Sequence, residues 1–575
     1  MSGAPLGAVQ SSAELDRIVR IPRRTWTDEQ AEALADRLTA ALKTPAGTQR
    51  LRPAQAVALA EIGLYRGAFV PIPTGGGKTL VQFLAATMIP GVLRPIGLMP
   101  AHLIQEKEAE LREYRKHWKI HAFLRLASYQ GMSRVSAKDF LFDAKPDLIA
   151  ADEGHMLANP DAGRTRRVFR YLDAVPSCAF VVLTGTPTDT SIRQCAHLMR
   201  RTLRRVCPVP TNHLDLDEWC RALDLDVVPH RRLHPGALER LRRPDASPWE
   251  DIRETFQERL RDTPGVIMYS PPDISTPITI TSHVLPLCPA QEVAFRDLRK
   301  DWKTPDGLLC RDGVEIWRHA REISLGFYSV WTPRPPEDWR DARSEWAREC
   351  RAILGSNRRE LDTEDALVRH LDAHPEHYPE AAEALEAWRE IEPTFTPNPV
   401  PFWISDEPLR WVAEWARQAP GLIWLDRPAV GARLSERYGI PYYGAEGIDA
   451  RTGRHVVDHD PRSGSIAVSR RANDSGRNLQ AWNRNLVLDV PKAGKDWQQM
   501  IARTHREGQR AERVTVDVLF GSIEDVSAFW AATERGEYSA SMFGHAQKLL
   551  TADKSGVIST PPPGEEETPR WKKTK

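Results

Sequence analysis

The chain has 575 residues, enough for several domains that each bury a core. Because its formal net charge is only +1, a surface that is basic overall is excluded, and nucleic-acid contact requires a local basic patch. The seven cysteines form no C-x-x-C pair, which predicts a reducing, cytoplasmic compartment and argues against a zinc ribbon. A looser group of cysteines and histidines between Cys195 and Cys220 matches no standard zinc module. We find neither a secretory signal nor an apolar run of membrane-spanning length, so no membrane partner is expected.

Helices are predicted on either side of residue 50. Thr27 and Gln30 have the spacing of a capping box, and apolar residues at helical spacing continue to Leu42. A second helix starts at Pro53 and carries Gln55. The amide of this side chain has both a donor and an acceptor, which suits contact with an adenine edge. A surface glutamine without such a role is the alternative.

A glycine-rich turn follows a β-prone run from Ala68 to Ile72 and precedes a helical pattern. Consecutive glycines let backbone N–H groups point into one concavity at the N-terminus of the helix, where the helix dipole favours phosphate. Lys78 is placed to reach the β- and γ-phosphates of ATP, and the Thr79 hydroxyl to ligate Mg²⁺. An ordinary strand-to-helix loop is the alternative, because the full Walker pattern has glycine in place of Ile72. The predicted phosphate-binding residues are Thr74, Gly75, Gly76, Gly77, Lys78 and Thr79.

Strand and helix patterns alternate after this turn, with a strand from Pro95 to Met99 and a helix from Leu103 to Tyr114. Units of this length predict a parallel sheet, whose ligands lie at the carboxyl ends of the strands. A later apolar strand ends in Asp152 and Glu153, which places both carboxylates at the same edge as Lys78. Asp152 is suited to hold Mg²⁺, and Glu153 to orient and deprotonate the attacking water. An exposed acidic loop is the alternative.

A further strand, from Ala179 to Leu183, ends in a Thr-Gly-Thr-Pro turn. The small hydroxyl side chains of Thr184 and Thr186 suit a relay between the acidic pair and a bound polymer. Because such a turn is common in proteins, a plain turn remains the alternative for this stretch taken alone.

The segment from 205 to 400 breaks the alternation and is rich in proline and tryptophan. Helical patterns dominate it, and Ile278 to Leu287 is predicted as a strand. Trp339 and Trp346 lie seven residues apart, on one face of a predicted helix, with Arg343 between them. Stacking on nucleic acid is one interpretation of these side chains. Burial in a core is the favoured one, because apolar side chains at helical spacing usually form the buried face.

Alternation resumes at Gly421, and Val514 to Phe520 is predicted to close a second sheet. One predicted helix of this part carries Gln499, Arg503 and Arg506 at positions i, i+4 and i+7, which share a face. Two guanidinium groups on one face, with no acidic residue between them, suit contact between the two lobes at a transferring phosphoryl group. A basic, solvated helix is the alternative.

Three stretches, in this order and spacing, resemble motifs I, II and III of superfamily-two helicases. They are Pro73-Thr74-Gly75-Gly76-Gly77-Lys78-Thr79, Asp152-Glu153-Gly154-His155 and Leu183-Thr184-Gly185-Thr186-Pro187. The continuation from Met156 to Pro160, the pair Ser128-Tyr129 and the Leu-Arg-Pro-x-Gln opening at Leu51 are similar to the Swi/Snf-type branch. That superfamily does not require glycine at the first loop position, which accounts for Ile72.

Two later stretches resemble motifs V and VI of the same branch. They are Asn473 to Gln480, and Gln499 to Arg510 with its Gln-x-x-x-Arg-x-x-Arg-x-Gly-Gln pattern. By this resemblance Arg506 is the arginine finger, Arg503 is its neighbour on the γ-phosphate, and Gln499 contacts the nucleotide. The residues that the resemblance assigns to coupling or nucleic-acid contact are Tyr129, His155, Thr184, Thr186, Gly476 and Asn478.

The resemblance implies an α/β fold with two RecA-like parallel-sheet lobes of the P-loop NTPase type and a mostly helical insertion between them. Five domains are therefore expected along the chain. They are an N-terminal helical extension (1–50), a first ATP-binding lobe (51–204), a tryptophan- and proline-rich insertion and linker (205–400), a second lobe (401–535) and a partly disordered C-terminal tail (536–575).

The expected activity is Mg²⁺-dependent ATP hydrolysis that drives translocation on DNA, preferably double-stranded, or its unwinding. The lack of a recognisable chromatin-reading, nuclease or zinc module resembles the stand-alone Swi/Snf-like and DEAD/DEAH-like helicases of bacteria and phages. An RNA helicase on the same engine and an ATP-gated nucleic-acid-binding switch that does not translocate are the two alternatives.

Overall fold

The computed structural model describes residues 7–73, 75–244, 251–268, 275–354, 361, 363–473, 477–544 and 547–558. Packing divides the chain into two units, each of which draws on three separate segments. Unit 1 consists of Met1–Ser275, Ala493–Glu507 and Ala531–Thr551, and unit 2 of Thr276–Lys492, Gly508–Trp530 and Ala552–Lys575. Each unit is built around a parallel β-sheet of its own.

The sheet of unit 1 has five parallel strands among the described residues. They are β1 (Gly67–Pro71), β2 (Pro95–Met99), β3 (Arg125–Ser128), β4 (Leu148–Ala151) and β5 (Ala179–Thr184). Their order across the sheet is β1-β5-β4-β2-β3. All but β3 are buried along their whole length, because these strands are short apolar runs of the kind that parallel sheets bury on both faces.

Helices of unit 1 connect and flank these strands. They are α1 (Ala13–Val19), α2 (Asp28–Leu42), α3 (Pro53–Tyr65), α4 (Lys78–Met88), α5 (Ile104–His117), α6 (Tyr129–Ser133), α7 (Phe140–Ala144), α8 (Gly163–Ala174), α9 (Arg193–Leu203), α10 (His213–Leu223) and α11 (Ile252–Arg261). At the start of α2, Thr27 Oγ1 accepts from Gln30 N and Gln30 Oε1 accepts from Thr27 N, both at 3.2 Å. These two hydrogen bonds confirm the predicted capping box.

The sheet of unit 2 has seven parallel strands among the described residues, in the order β10-β11-β9-β12-β13-β6-β14. Two further strands, β7 and β8, pair with each other as an antiparallel ribbon. The bounds are β6 (Ile278–Val284), β7 (Phe327–Trp331), β8 (Pro399–Trp403), β9 (Leu422–Leu425), β10 (Tyr442–Tyr443), β11 (Ile466–Ser469), β12 (Arg484–Val487), β13 (Val514–Phe520) and β14 (Asp553–Gly556).

The remaining helices follow α11 along the chain. They are α12 (Pro289–Asp301), α13 (Gly313–Ser324), α14 (Glu337–Leu354), α15 (Glu364–Ala373), α16 (Pro379–Ile391), α17 (Glu407–Gln418), α18 (Pro428–Tyr438), α19 (Arg470–Asn473), α20 (Gly494–Thr504), α21 (Ile523–Phe543) and α22 (Lys548–Thr551). Helices α20 and α22 belong to unit 1, and α21 is divided between the units after Trp530. None of the helices in the described ranges has the length and apolar character that a membrane span requires.

The predicted α/β class with two parallel sheets is confirmed. Division of the chain differs from the predicted boundaries. The expected insertion, 205–400, is split, because its first part packs in unit 1 while β6 joins the sheet of unit 2 beside β13. Helix α20, expected in the second lobe, belongs to unit 1 by its packing. The end of the expected disordered tail, 559–575, lies outside the described residues.

Tryptophans of the middle segment form a core and not an exposed stacking surface. Trp339 and Trp346 are 2% and 0% exposed and share a buried cluster with Trp388. The rings of Trp339 and Trp388 lie edge to face with centroids 4.8 Å apart. Arg343, which stacking on nucleic acid would require at the surface, is buried and forms an ion pair with Glu315 at 3.1 Å. The packing interpretation is therefore confirmed, and stacking on nucleic acid by these two indoles is wrong.

Replacement of Trp339 by alanine is expected to lower the free energy of unfolding by about 3–5 kcal/mol, the usual cost of truncating a buried tryptophan. Chemical denaturation followed by circular dichroism measures this change. Trp530, which is 36% exposed, provides the comparison, and Trp530→Ala is expected to cost less than Trp339→Ala because less of its ring is buried. A Trp339→Ala protein of unchanged stability but weakened nucleic-acid binding would contradict the assignment to a core.

Candidate active site

Three strands of unit 1 place charged and hydroxyl side chains at one edge of the sheet. β1 leads into the glycine-rich turn before Lys78, β4 leads into Asp152 and Glu153, and β5 ends at Thr184. Because β5 pairs with both β1 and β4, Thr184 lies between the lysine and the acidic pair. Parallel strands present their carboxyl ends together, which is why residues this far apart in sequence meet.

The glycine-rich turn has the backbone shape of an anion-binding loop. Gly75 and Gly77 have φ angles of 88° and 83°, in the left-handed region that glycine adopts without steric cost. Gln55 Nε2 donates to Gly77 O at 3.0 Å, and a Cβ at Gly77 would lie 2.2 Å from that nitrogen. Since α4 begins at Lys78, its first backbone N–H groups and its dipole are directed at the turn. This arrangement favours a bound phosphate.

Lys78 is buried beside this turn. Its Nζ donates to Ile72 O at 3.0 Å and to Pro73 O at 3.3 Å, and these carbonyl oxygens are its hydrogen-bond partners in the part of the chain that the structure describes. The ammonium also lowers the pKa of both Asp152 and Glu153. A buried cation held by neutral oxygens keeps its charge available to an anionic ligand.

Asp152 and Glu153 form a tight, strained turn at the end of β4. Glu153 has φ 50° and ψ 50°, a left-handed conformation that costs a non-glycine residue on the order of 1–3 kcal/mol. Its N–H donates to Asp152 Oδ1 at 2.9 Å. On the other side, Tyr129 Oη donates to Asp152 O at 2.7 Å, and Asp152 N donates to Leu98 O at 2.9 Å. These bonds fix the direction in which both carboxylates point.

Burial and charge separate the pKa values of the two carboxyl groups. Burial, and next to it the Glu153 carboxylate, raises the pKa of Asp152 to about 6. For Glu153, burial acts in the same direction, but His155, Lys78 and Arg503 together lower its pKa to about 2. Burial and the neighbouring charges therefore shift the pKa of Asp152 upward and that of Glu153 downward.

Buried polar atoms without a hydrogen-bond partner surround the acidic pair. Glu153 Oε2 and His155 Nδ1 lie 3.4 Å apart, but the contact lacks the geometry of a hydrogen bond. Thr186 Oγ1 and Gln82 Oε1 are likewise buried without a partner among the described residues. A buried polar atom that is left unpaired costs about 1–3 kcal/mol. Several of them around one carboxylate pair are the mark of a site that a polar ligand completes.

Helix α20 brings Arg503 to this site within unit 1. Arg503 is buried, and its Nε donates to Gln499 O at 3.2 Å. Its guanidinium is one of the three groups that lower the pKa of Glu153. Gln499, one turn earlier on the same helix, is also buried. The structure thus places the first arginine of the predicted pair within electrostatic range of Glu153.

Arg506 lies beyond the end of α20, which stops at Thr504, so its predicted place on a shared helix face with Gln499 and Arg503 is wrong. The side chain is half-buried. Burial lowers its pKa, and acidic residues, of which Glu110 on α5 acts most strongly, oppose this change. The next residue, Glu507, forms an ion pair with Arg52, whose Nη1 donates to Gly75 O at 2.9 Å. One arginine therefore connects the segment after α20 to the glycine-rich turn.

Residues 531–551 hold α20 in unit 1. Tyr538 and Phe543, from the last part of α21, are buried in the main core of that unit. Gln498 Oε1 on α20 accepts from Lys548 N at 2.7 Å, and Lys548 Nζ lies 2.8 Å from His505 Nδ1. The middle of α20 and its C-terminal end are thus held by Lys548. This residue belongs to a segment that follows strand β13 of unit 2 in sequence.

Most predicted site residues lie in unit 1, but the contacts and burial of some of them differ from those that their predicted roles require. Gln55 Oε1 accepts from Arg52 N at 2.9 Å while its amide nitrogen binds Gly77 O, so the side chain braces the turn, and adenine contact stays a prediction. Thr184, Thr186 and Tyr129 are buried and can act on a nucleic acid only through their neighbours.

Two predicted residues fall outside the described part of the chain, namely Thr74 and Gly476. The other residue of the motif V resemblance, Asn478, is exposed in unit 2, where its Oδ1 accepts from Gln480 N at 3.4 Å. Its predicted role in coupling to DNA stays a prediction. His155 remains partly accessible beside the acidic pair.

Sequence reasoning did not single out Arg52, Gln82 or Lys548. Gln82 Nε2 donates to Leu98 O at 3.1 Å and to Ala150 O at 2.9 Å, which ties β2 to β4 behind the acidic turn. Arg52 belongs to the same Leu-Arg-Pro-x-Gln stretch as Gln55, and that stretch was a usable signal. Lys548 had no such signal, because it is 50 residues from its partner Gln498 and only packing unites them.

Comparisons with known proteins find similarity among solved structures. No protein-family model and no curated protein matches the chain. Among solved structures, it is similar to the SWI2/SNF2 ATPase core of Sulfolobus solfataricus in complex with double-stranded DNA, over 88% of this chain and 95% of that one. Sequence identity is 13% and the TM-score is 0.30. A similarity at this TM-score carries no argument about fold or activity.

Asp152→Asn is expected to raise the thermal unfolding midpoint at pH 8, measured without nucleotide by scanning calorimetry. The pKa of Asp152 in the fold, about 6, exceeds its ordinary value of 3.8, so the ionised group destabilises the fold above pH 6 and not below pH 4. A gain of about 1 kcal/mol corresponds to about 2–4 °C in a domain of 150–250 residues. The gain should vanish at pH 4. The exposed acid Asp161, changed to asparagine, is the control, and an equal gain there would contradict the explanation.

Gly494→Val is expected to push the start of α20 away from α21. A Cβ at Gly494 would lie 2.9 Å from Ala532 O and from Gly536 N, which are backbone atoms that cannot move aside cheaply. We expect a loss of about 1–3 kcal/mol in the free energy of unfolding, measured by denaturant titration. Gly163→Val is the matched control, because nothing lies within 4 Å of the added Cβ there. Equal effects of the two substitutions would show that α20 does not depend on this close approach.

Proposed function

We propose that this chain is an ATP hydrolase that uses hydrolysis to move along double-stranded DNA. The observation that carries the proposal is the meeting of a buried lysine, a glycine-rich turn and a buried acidic pair at one edge of a parallel sheet. Lys78 acts electrostatically on both Asp152 and Glu153, as a group that shares their site must. The motif resemblance implies this set of residues for a superfamily-two ATPase of the Swi/Snf type, and the two parallel sheets support two RecA-like lobes.

The residues present fit a magnesium-bound nucleotide. Carboxylate and hydroxyl oxygens such as those of Asp152 and Thr79 are the ligands that Mg²⁺ prefers, and one or two of them suffice because the ion keeps phosphate and water ligands. When bound, Mg²⁺ offsets charge on the phosphate oxygens. Lys78 and the N–H groups of the turn bind the phosphates. The raised pKa of Asp152 shows that its ionised form is disfavoured by burial and by the Glu153 charge, so a bound cation would stabilise it.

Glu153 is assigned to the attacking water. Because its pKa is held near 2, the carboxylate is ionised throughout the physiological range and accepts hydrogen bonds from water. The carboxylate is assigned to orient the attacking water and to accept its proton. Its strained backbone and its contact with His155 keep it in one direction for that purpose.

Arg503 and Arg506 are assigned to the transferring phosphoryl group. Arg503 is supported by its position beside Glu153, and Arg506 by the motif VI resemblance, which makes it the arginine finger. Such an arginine typically adds about 10³–10⁵ to turnover. Arg506 is half-buried among acidic residues, which keep its guanidinium charged near the glycine-rich turn to which Arg52 and Glu507 connect this segment.

Double-stranded DNA is proposed as the track on the strength of the Swi/Snf-type motifs. All seven cysteines are free, and six of them are buried, which supports a reducing compartment such as the cytoplasm. RNA as the track, and a nucleotide-gated switch that does not translocate, remain the two competing functions, and the assays that follow separate them.

The direct test is ATP hydrolysis by wild-type protein with single-stranded DNA, double-stranded DNA or RNA. We expect double-stranded DNA to stimulate kcat most. Lys78→Ala is expected to abolish hydrolysis because the phosphates lose their buried cation. Glu153→Gln is expected to retain ATP binding, measured with a fluorescent nucleotide, while hydrolysis falls at least about 100-fold, in line with loss of a positioned catalytic group.

Lys116→Ala is the control for loss of a lysine, since this side chain is exposed and pairs only with Glu113 on its own helix. Substantial hydrolysis by Lys78→Ala would remove the lysine from its role. Stimulation by RNA alone would establish the competing RNA track. Nucleotide-dependent DNA binding without displacement of a triplex strand would establish the switch.

A further inference from the structure

Histidine and glutamate side chains gather at the junction of α15 and α16 in unit 2. We infer that His374, Glu376 and His377 form a binding site for a divalent first-row transition metal of the zinc class. One ligand atom from each of the three side chains lies within 4.8 Å of the other two. In the described part of the chain this is the one group of histidine, cysteine and acidic side chains that meets so closely.

The distances between the ligand atoms are close to those that a tetrahedral ion imposes. With bonds of about 2.0–2.2 Å to nitrogen and oxygen, two ligands on a tetrahedron lie about 3.4 Å apart. His374 Nδ1 lies 3.4 Å from Glu376 Oε1, and His377 Nε2 lies 3.8 Å from the same oxygen. The side chains are exposed, so they can rotate to bring their ligand atoms onto an ion.

A fourth side chain, that of His370, orients the ligand His377. His377 Nδ1 lies 3.0 Å from His370 Nε2, a distance at which one nitrogen donates a hydrogen bond to the other. When His377 donates from Nδ1, its Nε2 carries the lone pair and faces Glu376, as a metal ligand requires. Histidine ligands commonly donate their second N–H to a neighbouring group in this way, which fixes the tautomer and the ring orientation.

The three ligands occupy a short 3₁₀ helix, Pro375–His377, and the residue before it. Because residues 374–378 connect α15 to α16, a bound ion would tie the end of one helix to the start of the other.

Other cysteines and histidines do not compete for this role. Cys195, Cys207 and Cys220 are buried, and His197 Nε2 lies 2.8 Å from Leu157 O, where a neutral ring donates to the carbonyl. Three protein ligands leave one tetrahedral position for water, since the group lies at the surface. The nitrogen and oxygen donors without thiolate select zinc, nickel or copper over calcium and magnesium.

The test is calorimetric titration of the tag-free full chain with ZnCl₂ at pH 7.5. One Zn²⁺ per chain is expected, and His374→Ala/His377→Ala should weaken that binding by at least tenfold. His370→Ala should keep the stoichiometry and weaken binding by about 10–100-fold, the usual effect of losing a group that orients a ligand. Co²⁺ in place of Zn²⁺ should give a tetrahedral visible spectrum that the double variant loses.

His230→Ala/His234→Ala removes two exposed histidines of unit 1 and is the matched control. Circular dichroism establishes that each variant is folded. Failure of wild-type protein to bind Zn²⁺, or binding by His374→Ala/His377→Ala equal to wild type, would overturn the site. Loss of ATP hydrolysis plays no part in this readout, so the outcome is independent of the proposed motor function.

Discussion

Two carboxyl groups buried side by side are the constraint around which unit 1 is organised. Asp152 and Glu153 cannot both stay ionised in a buried site unless cations lie close by, because burial and mutual repulsion each favour the protonated forms. Lys78 comes from the helix after β1, and Arg503 comes from α20, far along the chain. The site therefore depends on the packing of distant segments as much as on the acidic motif itself.

The strained backbone at Glu153 is accompanied by nearby buried polar atoms that lack a hydrogen-bond partner. A left-handed glutamate, a carboxylate oxygen without a hydrogen bond and a threonine hydroxyl without a partner all raise the free energy of the folded chain. Hydrogen bonds from Tyr129 and from the backbone offset part of this cost. Such a concentration of unfavourable terms at one sheet edge is typical of a site kept for ligand binding.

In contrast to the acidic pair of unit 1, a group of buried charged side chains in unit 2 is fully paired. Around Trp346, Arg311 and Arg343 meet Glu315 and Glu364 in a network in which each carboxylate has an arginine or an indole N–H as partner. Burial alone would raise the pKa of Glu315, but the two arginines lower it to about 2. A satisfied network of this kind stabilises one packing arrangement and leaves no polar group for a ligand. The contrast supports the assignment of the chemistry to the sheet edge of unit 1.

The sequence by itself determined the local features of this protein. The capping box at Thr27, the strand Pro95–Met99, the strand Val514–Phe520 and the α/β class with two parallel sheets all agree with the structure. Periodicity and capping depend on residues a few positions apart, which a linear pattern records directly. The short motifs around Lys78 and Glu153 are local for the same reason, so their meeting at one edge followed from the parallel order of the strands.

Only the tertiary structure decided where α20 belongs, where Arg506 lies relative to its end, and what Lys548 and Gln82 contact. Chain order placed α20 with the second sheet, whereas contacts from residues 531–551 place it in unit 1. The grouping of His370, His374 and His377 likewise depends on how one short connection turns between two helices. Contacts between residues far apart in sequence, and the exact ends of helices, are set by packing energies that a linear pattern does not contain.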